Sequence, residues 1–146
     1  MRLPPPVVFF ATLLAMAGAN AVLPGPELLT APLRPLGWLL TLPGLVLAGS
    51  AVARLRRAGT TLRPDRDPNR LVTDGPWTRS RNPIYLGLTL TLFGFALFAG
   101  TTTPAIVAWA FPLVIDRFQI PFEEAALARL FGAEWEAYRL RVRRWL

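Results

Sequence analysis

Residues 83–99, PIYLGLTLTLFGFALFA, carry no charged side chain, and after a short Gly/Thr turn a second charge-free run covers 104–115. A helix crosses the hydrocarbon of a bilayer with about 20 apolar residues, within a range of about 17 to 25. The first run meets that length narrowly. The second is short and extends past Asp116 and Arg117 toward the interface. Two such runs joined by the uncharged segment 100–104 predict a helical hairpin, because a buried backbone in lipid must satisfy its own hydrogen bonds.

Working outward, residues 6–22 and 36–53 are also free of charge. The chain therefore reads as an all-α integral membrane protein of one domain, 1–146, with about four transmembrane helices. The candidate spans are 6–22, 36–53, 83–99 and 104–120. Composition agrees: 53% of residues are hydrophobic, mean hydropathy is +0.39, and 17% are charged, against roughly 25% in soluble domains. Gly44 with Ala48, and Gly87 with Gly94, are small residues of the kind that let membrane helices approach closely.

Topology follows from arginine. All sixteen cationic residues are Arg, giving a net charge of +7. The first connection, 23–35, holds Glu27 and Arg34 only, whereas 54–82 holds eight Arg and the tail from Asp116 holds six. Positive charge resists translocation, so 54–82 and the tail are expected inside, with both termini cytoplasmic. An Arg-only, Ala- and Leu-rich composition points to a high-GC bacterium, hence to an inner membrane. Basic loops between apolar spans mark orientation, so nucleic acid is not an expected partner; membrane lipid is. Arg2, the following apolar run and Ala19-Asn20-Ala21 imitate a signal peptide. Cleavage there would leave three spans with the same inward loops. The triple proline at 4–6 argues for an uncleaved first span.

There is no Cys and no His. Disulfides, thiolate nucleophiles, His-based triads and His/Cys metal sites are excluded together. No metal site is expected. Chemistry must rest on carboxylates, Tyr, Arg, Asn and backbone, or on a bound cofactor. The long connection 54–82 is punctuated by Pro64, Pro68 and Pro76, with the apolar pair Leu71-Val72 before an Asp74-Gly75 turn. Loops of that length are commonly lids or binding loops. In 121–146, Phe122, Leu127, Leu130, Phe131, Trp135, Tyr138 and Trp145 recur at near-helical spacing, which predicts an amphipathic helix along the cytoplasmic surface.

Two clusters stand at the ends of the spans. In Arg81-Asn82-Pro83-Ile84-Tyr85, Asn82 as N-cap and Pro83 at the first helical position open a helix. That leaves Tyr85, one turn on and near the same face, without a role. Glu123-Glu124 follows Pro121, where acids in a first helical turn complement the macrodipole. Arg141, Arg143 and Arg144 suit a helix C-terminus and anionic lipid. A structural reading suffices for each alone. The functional reading brings carboxylate, guanidinium, amide and phenol to one membrane boundary, where a zwitterion would find both of its partners.

Leu71-Val72-Thr73-Asp74-Gly75-Pro76-Trp77, followed by Arg81-Asn82-Pro83-Ile84-Tyr85-Leu86-Gly87, resembles the isoprenylcysteine carboxyl methyltransferase family, whose superfamily includes the phospholipid N-methyltransferases. The tail is similar too: Glu123-Glu124, Leu127, Phe131-Gly132, Trp135, Tyr138, Val142 and Arg144-Trp145. The resemblance runs from about Gly59 to the end. It implies an S-adenosyl-L-methionine pocket on the cytoplasmic side. Leu71, Val72 and Trp77 would lie over the cofactor, Asn82, Pro83 and Tyr85 would form its floor, and Glu123 or Glu124 would hold a polar end. Arg81, Tyr85 and Glu124 are the implied catalytic group. The family carries His where this chain has Asn82; an amide binds or orients but does not titrate. The family's substrate-side Arg before the acidic pair has no aligned counterpart, since Gln119 falls near that place; Arg117 is the nearest candidate.

The expected activity is methyl transfer to a lipid-like acceptor entering sideways from the bilayer. A carboxylate acceptor arrives ionised at neutral pH. An amine must lose a proton, and without His the candidate bases are Glu123, Glu124 or Tyr85; carboxyl O-methylation is favoured on that ground. Two alternatives stand beside this reading. An NADPH-dependent sterol or enone reductase relative would share the Arg-x-Pro-x-Tyr motif and the hairpin, but such proteins generally lack the acidic pair. A non-catalytic scaffold or lipid-binding protein takes its best support from Asn82.

Overall fold

Each apolar run is a helix. The computed structural model describes residues 4–60 and 68–146; Arg2, Arg63, Pro64 and Arg66 lie outside them. Helix α1 spans Pro5–Val22, a 3₁₀ turn Ala31–Gly37 leads into α2 (Trp38–Arg57), and α3 covers Pro83–Ala99. A last long helix, α4, runs over Thr102–Arg141. Among the described residues there is no strand, only one bridge between Glu27 and Thr101. The stretches Pro5–Val22, Ala31–Arg57 and Thr102–Arg141 are long and apolar enough to cross a membrane, and α3 is a shorter apolar helix of 17 residues. Leu14, Val46, Ile106, Leu113 and Phe118 point outward, as lipid-facing side chains do. The chain is an all-helical membrane protein.

Helices α2 and α3 lie antiparallel along a seam of small residues. A Cβ built on Gly44 would stand 2.5 Å from the Gly87 carbonyl oxygen, and one on Gly87 would stand 2.5 Å from that of Gly44. Two turns along, Gly37 and Gly94 repeat the arrangement: a Cβ on Gly37 would lie 2.5 Å from the Gly94 oxygen. The backbones touch because no side chain intervenes, the packing that dispersion favours where lipid removes the hydrophobic drive. The sequence expectation for Gly44, Gly87 and Gly94 is met. Val8, Phe9 and Met16 of α1, Leu92 and Ala96 of α3, and Ala108, Phe111 and Ile115 of α4 form the central core.

The two ends of the bundle differ. At one, the α1–α2 connection closes over the α3–α4 turn: the Leu28 and Leu29 amides donate to the Gly100 carbonyl, and Arg34 reaches the Leu29 carbonyl. Gly100 itself ends α3 at φ 75°, a conformation that glycine adopts without cost. The Arg-rich connection and the tail gather at the other end. There Arg54, in the last turn of α2, pairs with Asp74, and its guanidinium holds the Asp74 carboxyl below its ordinary range.

Helix α4 departs most from expectation. Pro112 and Pro121 each remove an amide donor and crowd the carbonyl four residues back. The first coincides with a tightened turn at Trp109; the second follows a π-turn over Ile115–Gln119. The helix nevertheless continues through both. Glu123 and Glu124 therefore sit inside a long helix rather than at a free N-terminus, and the macrodipole explanation for them lapses. The helix expected over 121–146 is present as Ile120–Arg141, continuous with the turns before it. It kinks at Gly132 (φ 46°, ψ −116°) and stops at Arg141, with Val142 extended. The last residues turn back onto the start of α3.

Candidate functional site

Asn82 occupies the N-cap position of α3, with Pro83 following, yet its side chain caps nothing. Its Nδ2 donates instead to the Arg144 carbonyl at 3.0 Å. The same carbonyl accepts from Ser80 Oγ at 3.3 Å, and the Arg81 amide donates to the Arg143 carbonyl at 2.9 Å. This corrects the capping account of Asn82: the amide tethers the tail. Its place in the sequence marked the helix start correctly, but the partner lies 62 residues away.

From that turn Arg81 reaches across α4. Its Nη2 donates to Glu124 Oε1 at 2.8 Å and its Nη1 to the Arg139 carbonyl at 3.1 Å, while the guanidinium lies 5.6 Å from the centre of the Trp135 ring. Glu124 and Arg139 stand on opposite sides of the Gly132 kink, so one guanidinium bridges both halves of the helix. Glu124 has a second partner, Arg144, whose Nη2 donates to Oε2 at 2.6 Å. Arg81 and Glu124 are only 12% and 18% exposed, a setting in which ion pairs are much less screened than on an open surface.

The neighbouring carboxyl has different partners. Tyr85 Oη donates to Glu123 Oε1 at 2.6 Å and Gln119 Nε2 donates to the same oxygen at 2.7 Å. Gln119 and Glu123 are one turn apart, past the π-turn that aims both inward. Glu123 is 8% exposed, so its carboxyl depends on these two donors for its hydrogen bonds.

The structure thus joins Arg81, Asn82, Pro83, Tyr85, Glu123 and Glu124 at one end of the bundle. Leu71 packs with Leu127, Trp135, Tyr138 and Val142 of the α4 end. Val72 and Trp77 pack against Ala51 and Leu55 of α2 and Ile84 of α3. The Trp77 carbonyl accepts from Tyr138 Oη at 2.7 Å, so the connection is fastened to both sides of the cluster. Arg117 is exposed on the π-turn; the arginine that reaches the acidic pair from that side is Arg144. Gln119, Asp116, Ser80 and Arg144 were not among the expected site residues. The spacing of Gln119 to Glu123, one helical turn, was the available signal for the first. For Arg144 the signal was the resemblance of the tail; for its return onto the start of α3 none existed.

The family model for phospholipid methyltransferase matches residues 33–134. An uncharacterized protein of Haemophilus influenzae is 41% identical over 63 residues, which is 43% of this chain and the whole of that protein. No solved structure matches. The matched family segment contains the start of α3 and the acidic pair, and ends before the returning tail.

Proposed function

The chain belongs to the phospholipid methyltransferase family, and from that premise we propose that it transfers a methyl group from S-adenosyl-L-methionine to a lipid-like acceptor at the membrane boundary. The observation that carries the reading is the meeting of two separated motifs: Tyr85 on Glu123 and Arg81 on Glu124. The residues fit the donor chemically. Its amino-acid end is a zwitterion, and Arg81 keeps a buried Nε without a partner among the described residues, beside the Glu124 carboxylate. Trp77 Nε1 is a second buried donor without a partner among them, and buried donors of this kind call for an acceptor.

When bound, the cofactor supplies an electrophilic methyl on a positively charged sulfur. The chain's residues bind, orient and exclude water. Arg81 would hold the carboxylate and Glu124 the ammonium, while Asn82 anchors the tail rather than moving a proton. Leu71, Val72, Trp77 and Pro83 would form the walls. Arg117, exposed near the interface, is available to an anionic acceptor. The arginine distribution supports a site on the cytoplasmic face of a bacterial inner membrane.

A carboxylate acceptor needs no base and remains the simplest reading for a chain without His. Glu123 favours a second one. A buried carboxyl hydrogen-bonded to Tyr85 can accept the proton that an amine headgroup must lose. Incubating membranes with methyl-labelled S-adenosyl-L-methionine tests both. Label should enter extractable lipid. Release as methanol in base indicates an ester, and base-stable label on a headgroup indicates an amine. Purified protein that binds NADPH but not S-adenosyl-L-methionine would instead support a reductase relative, and no binding of either a scaffold.

A further inference from the structure

Residues 142–146 leave the helix and spend their polar groups on the site. The carbonyls of Arg143 and Arg144 take the Arg81 amide, Asn82 Nδ2 and Ser80 Oγ. The Arg144 guanidinium covers Glu124 twice, Nη2 to Oε2 at 2.6 Å and Nε to Oε1 at 3.3 Å, and places Nη1 3.5 Å from Asp116 Oδ1. Trp145 Nε1 donates to the same Asp116 oxygen at 2.8 Å, and its ring packs on the central core. Two guanidiniums and two carboxylates meet here, but unevenly. Asp116 pairs with Arg144, and Glu124 is shared between Arg144 and Arg81.

The consequence falls on Arg81. Alone with Glu124 it would form a closed, mutually neutralised pair with little attraction left for an anion. With Arg144 making two of the three guanidinium contacts to Glu124, Arg81 is engaged there through Nη2 alone, and its Nε is a buried donor with no acceptor among the described residues. Leaving such a donor unmade is costly, and guanidinium edges pair well with carboxylates. We propose that Arg144 is a positioning residue of the donor site: by compensating Glu124 it leaves Arg81 free to bind the carboxylate of the methyl donor, and Asp116 with Trp145 holds Arg144 in place. The proposal rests on the methyl-donor reading given above.

The test compares two ligands on the full-length protein in detergent or nanodiscs. S-adenosylhomocysteine carries the amino-acid end; 5′-methylthioadenosine has the same nucleoside and thioether but no carboxylate. Wild type should prefer the former. Arg144→Gln should weaken S-adenosylhomocysteine by about tenfold, the scale of one hydrogen bond to a charged group, and leave 5′-methylthioadenosine unchanged. Arg144→Lys should stay within about threefold, since the charge remains. Should Arg144→Gln fail to fold, Asp116→Asn, which keeps an acceptor for Trp145 but loosens Arg144, should shift the same preference in the same direction. Equal weakening of both ligands, no weakening of either, or a wild type that does not discriminate overturns the proposal while leaving the methyl-donor reading intact. A wild type that binds neither S-adenosylhomocysteine nor S-adenosyl-L-methionine overturns that reading, and the role of Arg144 with it.

Discussion

Gly87→Ala is expected to lower the melting temperature of the purified protein by about 5 °C or more. Overpacking costs about 1–3 kcal/mol and sometimes more, and each kcal/mol moves a chain of this size by about 2–4 °C. The cost here belongs at the upper end. A Cβ on Gly87 would lie 2.5 Å from the Gly44 carbonyl oxygen and 2.7 Å from the Ala48 amide nitrogen, and both are backbone atoms that cannot rotate away. Helices α2 and α3 would have to separate, which also shifts the start of α3 and with it Arg81 and Tyr85. Gly49→Ala is the control, because a Cβ there meets nothing within 4 Å. Placing Ala for Gly inside a helix is worth up to about 1 kcal/mol, so Gly49→Ala should be neutral or stabilising. Tryptophan fluorescence during heating reads both. Equal melting temperatures for the two variants would mean that the seam between α2 and α3 is looser than described.

Arg81→Ala should reduce binding of S-adenosyl-L-methionine by about tenfold to a hundredfold, the scale of one or two hydrogen bonds to a charged group. The variant loses the Glu124 contact, the Arg139 contact and the stacking on Trp135. It does not lose the backbone bond from residue 81 to Arg143, and Glu124 keeps Arg144 as a partner. No charge is left buried and alone, so folding should survive and binding can be measured separately by titration calorimetry. If melting temperature falls while affinity holds, Arg81 is a brace across the Gly132 kink and not a ligand-binding residue.

How the sequence encodes this protein depends on the distance over which each feature is written. The charge-free runs specify helices because a lipid-facing backbone has no other way to satisfy its hydrogen bonds. Gly44 and Gly87 were legible as contact residues because a missing side chain has few other uses on a membrane helix. Arg81, Tyr85 and the acidic pair were legible as a group because two motifs in the right order carried a resemblance. The division of labour between Glu123 and Glu124 was not. Adjacent carboxylates look identical in one dimension, and only packing gives one a phenol and an amide and the other two guanidiniums.

The same contrast covers the helix ends. Asn82-Pro83 announces a helix start locally, and the helix does start there. What the Asn82 amide does is decided by the Arg144 carbonyl, which no local rule brings near. Gly132 and the two prolines of α4 are visible as letters, but whether a proline ends a helix or only widens one turn depends on the neighbours that hold the chain on either side.

By itself, then, the sequence determined an all-helical membrane protein with most of its arginines in the 54–82 connection and the tail, no His or Cys chemistry, and two motif clusters near the ends of the spans; these follow from hydrophobicity, charge and residue chemistry, which act through composition and short spacing. Tertiary structure alone decided that α4 continues past the acidic pair, that Glu123 and Glu124 part in their partners, and that the tail returns to complete the cluster. Those outcomes turn on burial and on hydrogen bonds between residues far apart in the chain, and such energies exist only once the helices have packed.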